Sequence, residues 1–495
     1  MRVPLLSLLS LAMTATSAAA ADAPDYALTV YSAAAPGTLS TERLADYGDR
    51  LPGYAVVSDR RVLELSRGTG ELRFSDVARR IDPTTVSFAS ITDPAGTRVL
   101  EQNYQYDLVS QQKLLQRYLG QPLTVEQQRG DTIERVSGTL LSADGGLILA
   151  REDGSVVTLS SWSSVQFPAL PGGLISKPTL VWKLDAARGG RHDAQVSYQT
   201  QGMTWWTDYN ITLREDGGRC RMDLAAWVSL VNQSGGSFPN AKLKLVAGDV
   251  NRAPAAPEPQ KMYRTMVAEA APMADGFAES ELFEYHLYTL GRRTDLPDNS
   301  VKQLELFPAV AGAECRRELV FTATPSYYNY GAAMTDQGFG ATQRGEAGAF
   351  LEFENREANR LGIPLPGGRV RVSQASADGA QEFIGEDLIQ HTARNETLRL
   401  KLGTAFDISG ERRQLSYSYD EKARTITETI EVEVRNGKKS PAEVTVREYL
   451  YRWSGWTITG NSQAYDKRDA QTVDFAVKLP AEGKQTVRYT VTYRW

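Results

Sequence analysis

The sequence predicts an all-β chain of tandem β-sandwich domains, interrupted by one small, strongly bent sheet that a helix enters. Three observations lead there. Short apolar stretches recur with Gly, Pro and Asp turns between them, the pattern of strands joined by hairpins. One stretch alone carries a convincing helical period. The chain closes on "VRYTVTYRW", in which Val487, Tyr489, Val491, Tyr493 and Trp495 occupy alternate positions. At 495 residues the chain is too long for one core, and about two to four domains are expected. A composition of 41% hydrophobic and 23% charged residues is that of a folded protein. The formal charge is -5 with no Lys/Arg-rich run, so nucleic acid is not an expected partner.

The first element, residues 1–20, reads as a secretory signal peptide. "MRVPLLSLLSLAMTATSAAAADAP" has one basic residue, an apolar run from Val3 to Ala15, and small residues placing cleavage after Ala20 or Ala21. The run is too short for the roughly 20 apolar residues of a membrane span. No cysteine follows it, which excludes a lipid-anchored lipoprotein. No other stretch suits a transmembrane helix, so the chain is expected in the periplasm or secreted. Cys220 and Cys315, the only cysteines, are expected to pair as a disulfide in such an oxidising compartment.

Residues 21–105 read as an N-terminal β domain, with "YAVVSDRRVLEL" and "TVSFASI" as strands. Residues 106–172 hold the helix. In "YDLVSQQKLLQRYLGQPLTV", Asp107 can cap the start, Leu108, Gln112, Leu115 and Leu119 share a face, and Gly120 suits the C′ position. "GDTIERVSGTLLSADGGLILAREDGSVVTLSSWSSVQF" then supplies four or five short strands. This helix with its bent sheet resembles the Sm-like small barrel. Such barrels often bind RNA; without a basic patch, a structural or protein-binding role is expected here.

"FPALPGGLISKPTL" marks a boundary. Residues 173–409 follow as a β-sandwich domain with disordered inserts near 252–281 and 326–348, which are rich in Ala, Pro, Met, Gly and Tyr. Residues 410–495 read as a C-terminal immunoglobulin-like sandwich. Asn232, Asn355 and Asn436 each follow two alternating apolar residues and precede a polar turn. Asn tolerates left-handed backbone and bonds its own turn, so these read as hairpin ends.

Seven blocks occur in order from about residue 175 to the end, among them "VSYQTQGMTWWTDYNITL", "AWVSLVNQSGGSFPNAKLKLVAGDVNR", "GIPLPGGRVRV", "EFIGEDLIQHT" and "TIEVEVRNGKKSPAEVTVREYL". The set resembles the bacterial family called domain of unknown function 4139, which forms the C-terminal part of mucoidy-inhibitor-like proteins. The resemblance implies a β-rich fold and carries over no catalytic residue. Upstream the chain lacks the coiled-coil heptads of those proteins.

No cofactor or metal is expected. His192, His286 and His391 are far apart in sequence and show no HExxH spacing. "SQQK" at Ser110–Lys113 has Ser-x-x-Lys spacing without companion motifs. Glu386, Asp387 and His391 form the densest polar cluster and are the candidates for acid–base work, against a structural loop brace. The binding candidates are aromatic: Trp205, Trp206 and Tyr209 in "MTWWTDYN", and Tyr327, Tyr328 and Tyr330 in the Gly-rich insert. One of the adjacent tryptophans must face the core and the other away.

The closing alternation also fits an outer-membrane insertion strand. Against that, Glu428 falls in phase with Ile426 and Ile430, and Glu448 and Arg452 break the apolar phase of the next strand. A Lys or Arg near mid-membrane on a lipid face costs about 2–4 kcal/mol, and the phase switch suits a lipid-facing wall poorly, so a sandwich is expected. The functional expectation is an exported cell-envelope protein that binds a protein or glycan of the envelope without catalysis. A periplasmic hydrolase using the acidic/His cluster and an outer-membrane β-barrel are the alternatives.

Overall fold

The computed structural model describes residues 23–32, 34–129, 132–216, 219–248, 250, 277–282, 285–322, 331–376 and 379–495. The expected signal segment lies outside the described residues, as do Tyr327, Tyr328 and Tyr330. The chain is nearly all strand, arranged in several open sheets.

Two of these sheets enclose the first core. One runs Phe277–Leu282, Tyr285–Leu290, Phe238–Ala247, Asp25–Tyr31, Tyr54–Leu65, Gly190–Gln201, Ile81–Ser90. The other runs Ser300–Glu314, Arg219–Asn232, Met203–Asp216, Gly368–Ala375, Gln381–Ile389. Leu28, Val57, Tyr198 and Leu243 of the first meet Ile211, Leu224, Val228 and Val372 of the second in one buried cluster. A three-stranded sheet, Gly68–Ser75, Thr179–Ala186, Thr97–Gln105, adds Phe74 and Trp182 to it.

This corrects the expected N-terminal unit. Residues 21–105 build no sheet of their own, because their alternation specified faces and not partners. Asp25–Tyr31 pairs in parallel with Phe238–Ala247, Leu28 opposite Leu243. Tyr54–Leu65 pairs with Gly190–Gln201 along its whole length.

The small-sheet module is inserted between two paired strands. Gln105 ends one strand opposite Thr179, which begins the other. In the insert, the helix Gln111–Arg117 is followed by a sheet ordered Ser164–Gln166, Pro122–Arg129, Thr132–Ser142, Leu147–Ala150, Val156–Leu159. Leu115 and Tyr118 pack with Leu123, Val125, Leu140 and Leu149 in a separate core. Backbone bonds at its base, Val109 N–H to Ile175 O and Ile175 N–H to Asp107 O, close the module on itself. Ser110, not Asp107, caps the helix: its Oγ accepts from Lys113 N–H at 3.3 Å. That bond gives Ser110 a structural role, and the Lys113 ammonium pairs with Asp107 rather than with Ser110. Asp107 instead pairs with Lys113 and Arg117, and Leu119 points to solvent.

The C-terminal sheet has nine strands: Trp456–Asn461, Lys484–Arg494, Thr425–Asn436, Thr397–Asp420, Thr342–Glu354, Arg316–Thr322, Ala442–Tyr449, Thr472–Leu479, Asp466–Lys467. Its wings face one another across a second core, where Ile430, Val432 and Val491 meet Val446, Phe475 and Val477. This unit begins near Arg316 rather than at 410. Thr397–Asp420 runs through the expected boundary, with Leu398 and Leu400 in the first core and Ile408 in the second. The expected insert at 326–348 is corrected over its described part: 331–341 packs onto this unit and Thr342–Glu354 is a strand. In the insert at 252–281, Phe277–Leu282 is likewise a strand.

The closing strand lies as the sandwich reading expects, rather than as the outer-membrane alternative would have it. Val487, Tyr489, Val491 and Tyr493 are at most 1% exposed and face the second core. Arg488, Thr490, Thr492 and Arg494 form the opposite face of that strand, and the sheet ends at two unjoined edge strands. A lipid-facing wall needs an apolar outside and a closed ring.

The three asparagines share one geometry that sequence alone did not reveal. Each is buried, and none has positive φ. Asn232 Nδ2 donates to Gly236 O of its own turn and to Leu296 O and Pro297 O of the neighbouring turn. Asn355 Nδ2 donates to Ile363 O and Ala393 O, and Asn436 Nδ2 to Ser440 O and Pro480 O. The left-handed residue is two positions past that distant carbonyl each time: Asn299, Asn395 and Glu482. Cys220 and Cys315 form the expected disulfide.

Candidate functional site

The two faces of the five-stranded sheet carry different chemistry, as alternation requires. In Met203–Asp216, Trp205, Thr207, Tyr209 and Ile211 are buried in the first core. Trp206, Asp208 and Asn210 point the other way and line a cavity of about 250 Å³. The ladder places neighbours beside them. Asp208 lies between Trp227 and Arg369, and Asn210 between Ala225 and Arg371. Trp206 is opposite Ser229, which is opposite Gln303.

The segment from Leu39 to Leu51 forms a wall over one half of this face. Leu39, Leu44 and Leu51 pack on Val231 and on one edge of Trp206. Gly37 lets the segment approach, since its φ is +73° and a Cβ there would lie 2.4 Å from Leu388. Its carbonyl accepts from Arg369 at 3.4 Å. The wall stops short of Trp227, which remains 39% exposed.

Charges in the cleft balance. Trp206 Nε1–H donates to Asp208 Oδ2 at 2.8 Å, and Arg371 donates to Asp208 Oδ1 at 3.1 Å. Glu386 sits between Arg369 at 3.5 Å and Arg371 at 3.6 Å. These last contacts are long, so both guanidiniums retain donor capacity. The arrangement offers an aromatic surface, fixed donors and a fixed acceptor.

The sequence candidates separate. Trp206 lines the cleft, whereas Trp205 and Tyr209 are buried on the core side of the strand: Trp205 Nε1–H donates to Val30 O, and Tyr209 O–H to Pro366 O. Glu386, Asp387 and His391 do not converge. Glu386 faces the arginines. Asp387 accepts from the backbone N–H of Leu388 and of Lys401, a brace between two strands. His391 Nδ1 accepts from Gly367 N–H at 3.1 Å. Trp227, Arg369 and Arg371 were missed: Trp227 enters from the next strand of the same hairpin, and the two arginines from a strand far along the chain that pairs in parallel.

The other histidines are structural. His192 is fully buried between Ser90 Oγ and Arg188 O, and His286 pairs with Glu279. Among the described residues, no group of three or more His, Cys, Asp or Glu side chains could hold a metal ion.

A second polar constellation lies sealed inside the C-terminal unit. Arg412 Nε donates to Glu448 and Arg452 Nε to Glu428, both at 2.9 Å, with all four side chains at most 1% exposed. Tyr489 O–H donates to Glu448 at 2.6 Å. Burial pushes the Tyr489 hydroxyl well above its ordinary pKa, so it stays a donor. The backbone of 334–340 closes the site: Arg452 donates to Met334 O, Asp336 O and Phe339 O, and Arg412 to Gly340 O. Glu428, Glu448 and Arg452, which break the sequence alternation, are thus each other's partners or neighbours.

A family model described as "Domain of unknown function (DUF4139)" matches residues 194–495. That region holds the sheet floor of the cleft and the whole C-terminal unit, but not the 39–51 wall. No curated protein matches the chain at a significant level.

Proposed function

The chain belongs to the DUF4139 family, and from that premise we propose that it is an exported cell-envelope protein that works by recognition, with the Trp206–Trp227 cleft as its binding site. The observation that carries this reading is the cleft itself. It is a concave, pre-formed site with convergent polar groups on a rigid sheet. Export is supported by the composition of residues 1–20 and by the Cys220–Cys315 disulfide, which suits an oxidising compartment. The helix entry and closed base of the inserted module support reading it as an Sm-like barrel with a spacing or protein-binding role.

Two measurements test this. Mass spectrometry of the native protein should find a mature N-terminus at Ala21 or Asp22 in the periplasmic fraction. A photoreactive residue at Gln303, on the cleft, should capture an envelope component that the same group at exposed Lys478 does not. No adduct from Gln303 sinks the binding reading.

A further inference from the structure

We propose that the unit recognised in this cleft is one neutral sugar ring, stacked on Trp227 and held through its hydroxyls by Asp208, Arg371 and Asn210. The inference rests on the cleft being a binding site, and four features narrow the ligand. The first is size. About 250 Å³ is just under the roughly 300–1,000 Å³ of pockets for drug-sized molecules, so it takes one ring and its substituents.

Charge is the second. Arg369 and Arg371 are already faced by Asp208 and Glu386, so the site presents no net positive charge to an anion. Pairing an acid here would displace Glu386 and leave it beside the ligand.

The third is the aromatic surface. Trp227 keeps an exposed face, and its neighbour on the same side of the strand, two residues away, is the small Ala225. Its indole N–H and the Asn210 amide have no protein partner among the described residues. Aromatic rings carry a large apolar area with a polar edge, which matches the apolar face and hydroxyl rim of a pyranose.

The fourth is how hydrogen bonds are offered. A hydroxyl both donates and accepts. Asp208 and Arg371, 3.1 Å apart, present an acceptor beside a donor and can serve both functions of one hydroxyl. An extended peptide would need main-chain bonds from a free sheet edge. Here the floor strands Met203–Asp216, Arg219–Asn232 and Gly368–Ala375 each have a neighbour on both sides, so their backbone is committed to the ladder.

The test uses the mature full-length chain and isothermal titration with tetrasaccharides: cello-, malto-, manno- and chitotetraose as neutral probes, tetragalacturonate as the acidic one. At least one neutral probe should bind, with tetragalacturonate weaker. Trp227→Ala should lower the affinity at least about tenfold, as for a central aromatic anchor, and Asn210→Ala should lower it with an unchanged melting curve. Binding that survives Trp227→Ala, preference for tetragalacturonate, or no binding by any neutral probe overturns the sugar assignment. If Gln303 still captures an envelope component in that case, the cleft stands and only the ligand class falls. If it captures nothing, both fall.

Discussion

Asn232, Asn355 and Asn436 do the same work at three strand ends. A primary amide is the one side chain that can accept from its own turn and donate twice to carbonyls across the sheet end. Asn232 Oδ1 takes Ser234 N–H, Asn355 Oδ1 takes Gly362 N–H, and Asn436 Oδ1 takes Lys438 N–H, while each Nδ2 crosses to the partner turn. Truncation to Ala leaves buried carbonyls without donors. Each Asn→Ala variant should lose about 2–3 kcal/mol in chemical denaturation. Asn→Asp should lose at least as much, because a carboxylate cannot donate to the two carbonyls. A loss under about 0.5 kcal/mol would mean that water replaces the amide and that the motif is not a staple. Ser110 is a milder case. Ser110→Ala should cost about 0.5–2 kcal/mol in the module core and leave binding at the distant cleft untouched, as a helix cap would and a nucleophile would not.

At the scale of elements, the decisive property is whether a strand finds its partner nearby in the chain. The inserted module does: its helix and five strands lie within 111–166, and the strands pair only with one another. Its neighbours do so only in part. Asp25–Tyr31 pairs on one side with the next strand, Tyr54–Leu65, but waits more than two hundred residues for Lys242–Val246 on the other, so alternation exposed its buried face while that second partner stayed illegible. The cleft divides along the same line. Trp206 was legible from the alternation of one strand and Trp227 sits on the next strand of the same hairpin, but Arg369 and Arg371 enter only through a long-range parallel pairing that no local pattern encodes. Locality also makes the module removable. Because Gln105 and Thr179 are already opposite one another, replacing 106–178 by an Asn-Gly turn should leave a hairpin. The shortened protein should unfold cooperatively and keep its cleft affinity. Failure to fold would show that the insert supports the first core rather than hanging from it. The disulfide is the opposite kind of element, tying residues 95 apart. Replacing both cysteines by Ser should lower stability by about 2–4 kcal/mol.

At the scale of the molecule, two cores share two long strands, Thr342–Glu354 and Thr397–Asp420, and the second core is built around charge. Stability should depend on acid through surface groups first. Hydrogen bonds from Arg293, Arg60 and Arg413 hold Asp25, Asp193 and Glu411 below their ordinary values, Glu411 at about 2. A carboxylate depressed in the folded state stabilises it above the unfolded pKa of about 4, and that contribution is lost as pH falls through the folded value. Unfolding monitored by circular dichroism should therefore set in between about pH 4 and 2, and earlier in high salt because these groups are exposed. The buried pairs behave differently. Arg452→Met removes the partner of Glu428 and the three loop bonds made to Met334, Asp336 and Phe339. An unpaired buried carboxylate should cost about 3–5 kcal/mol. Adding Glu428→Gln removes that charge while keeping an acceptor for Tyr493 and a partner for Gln414, so the double variant should regain most of the loss. If both variants are equally unstable, the cost comes from the freed 334–340 segment and not from the charge. Limited proteolysis would then cut that segment in both, whereas the charge account expects cutting to decline in the double variant as its stability returns.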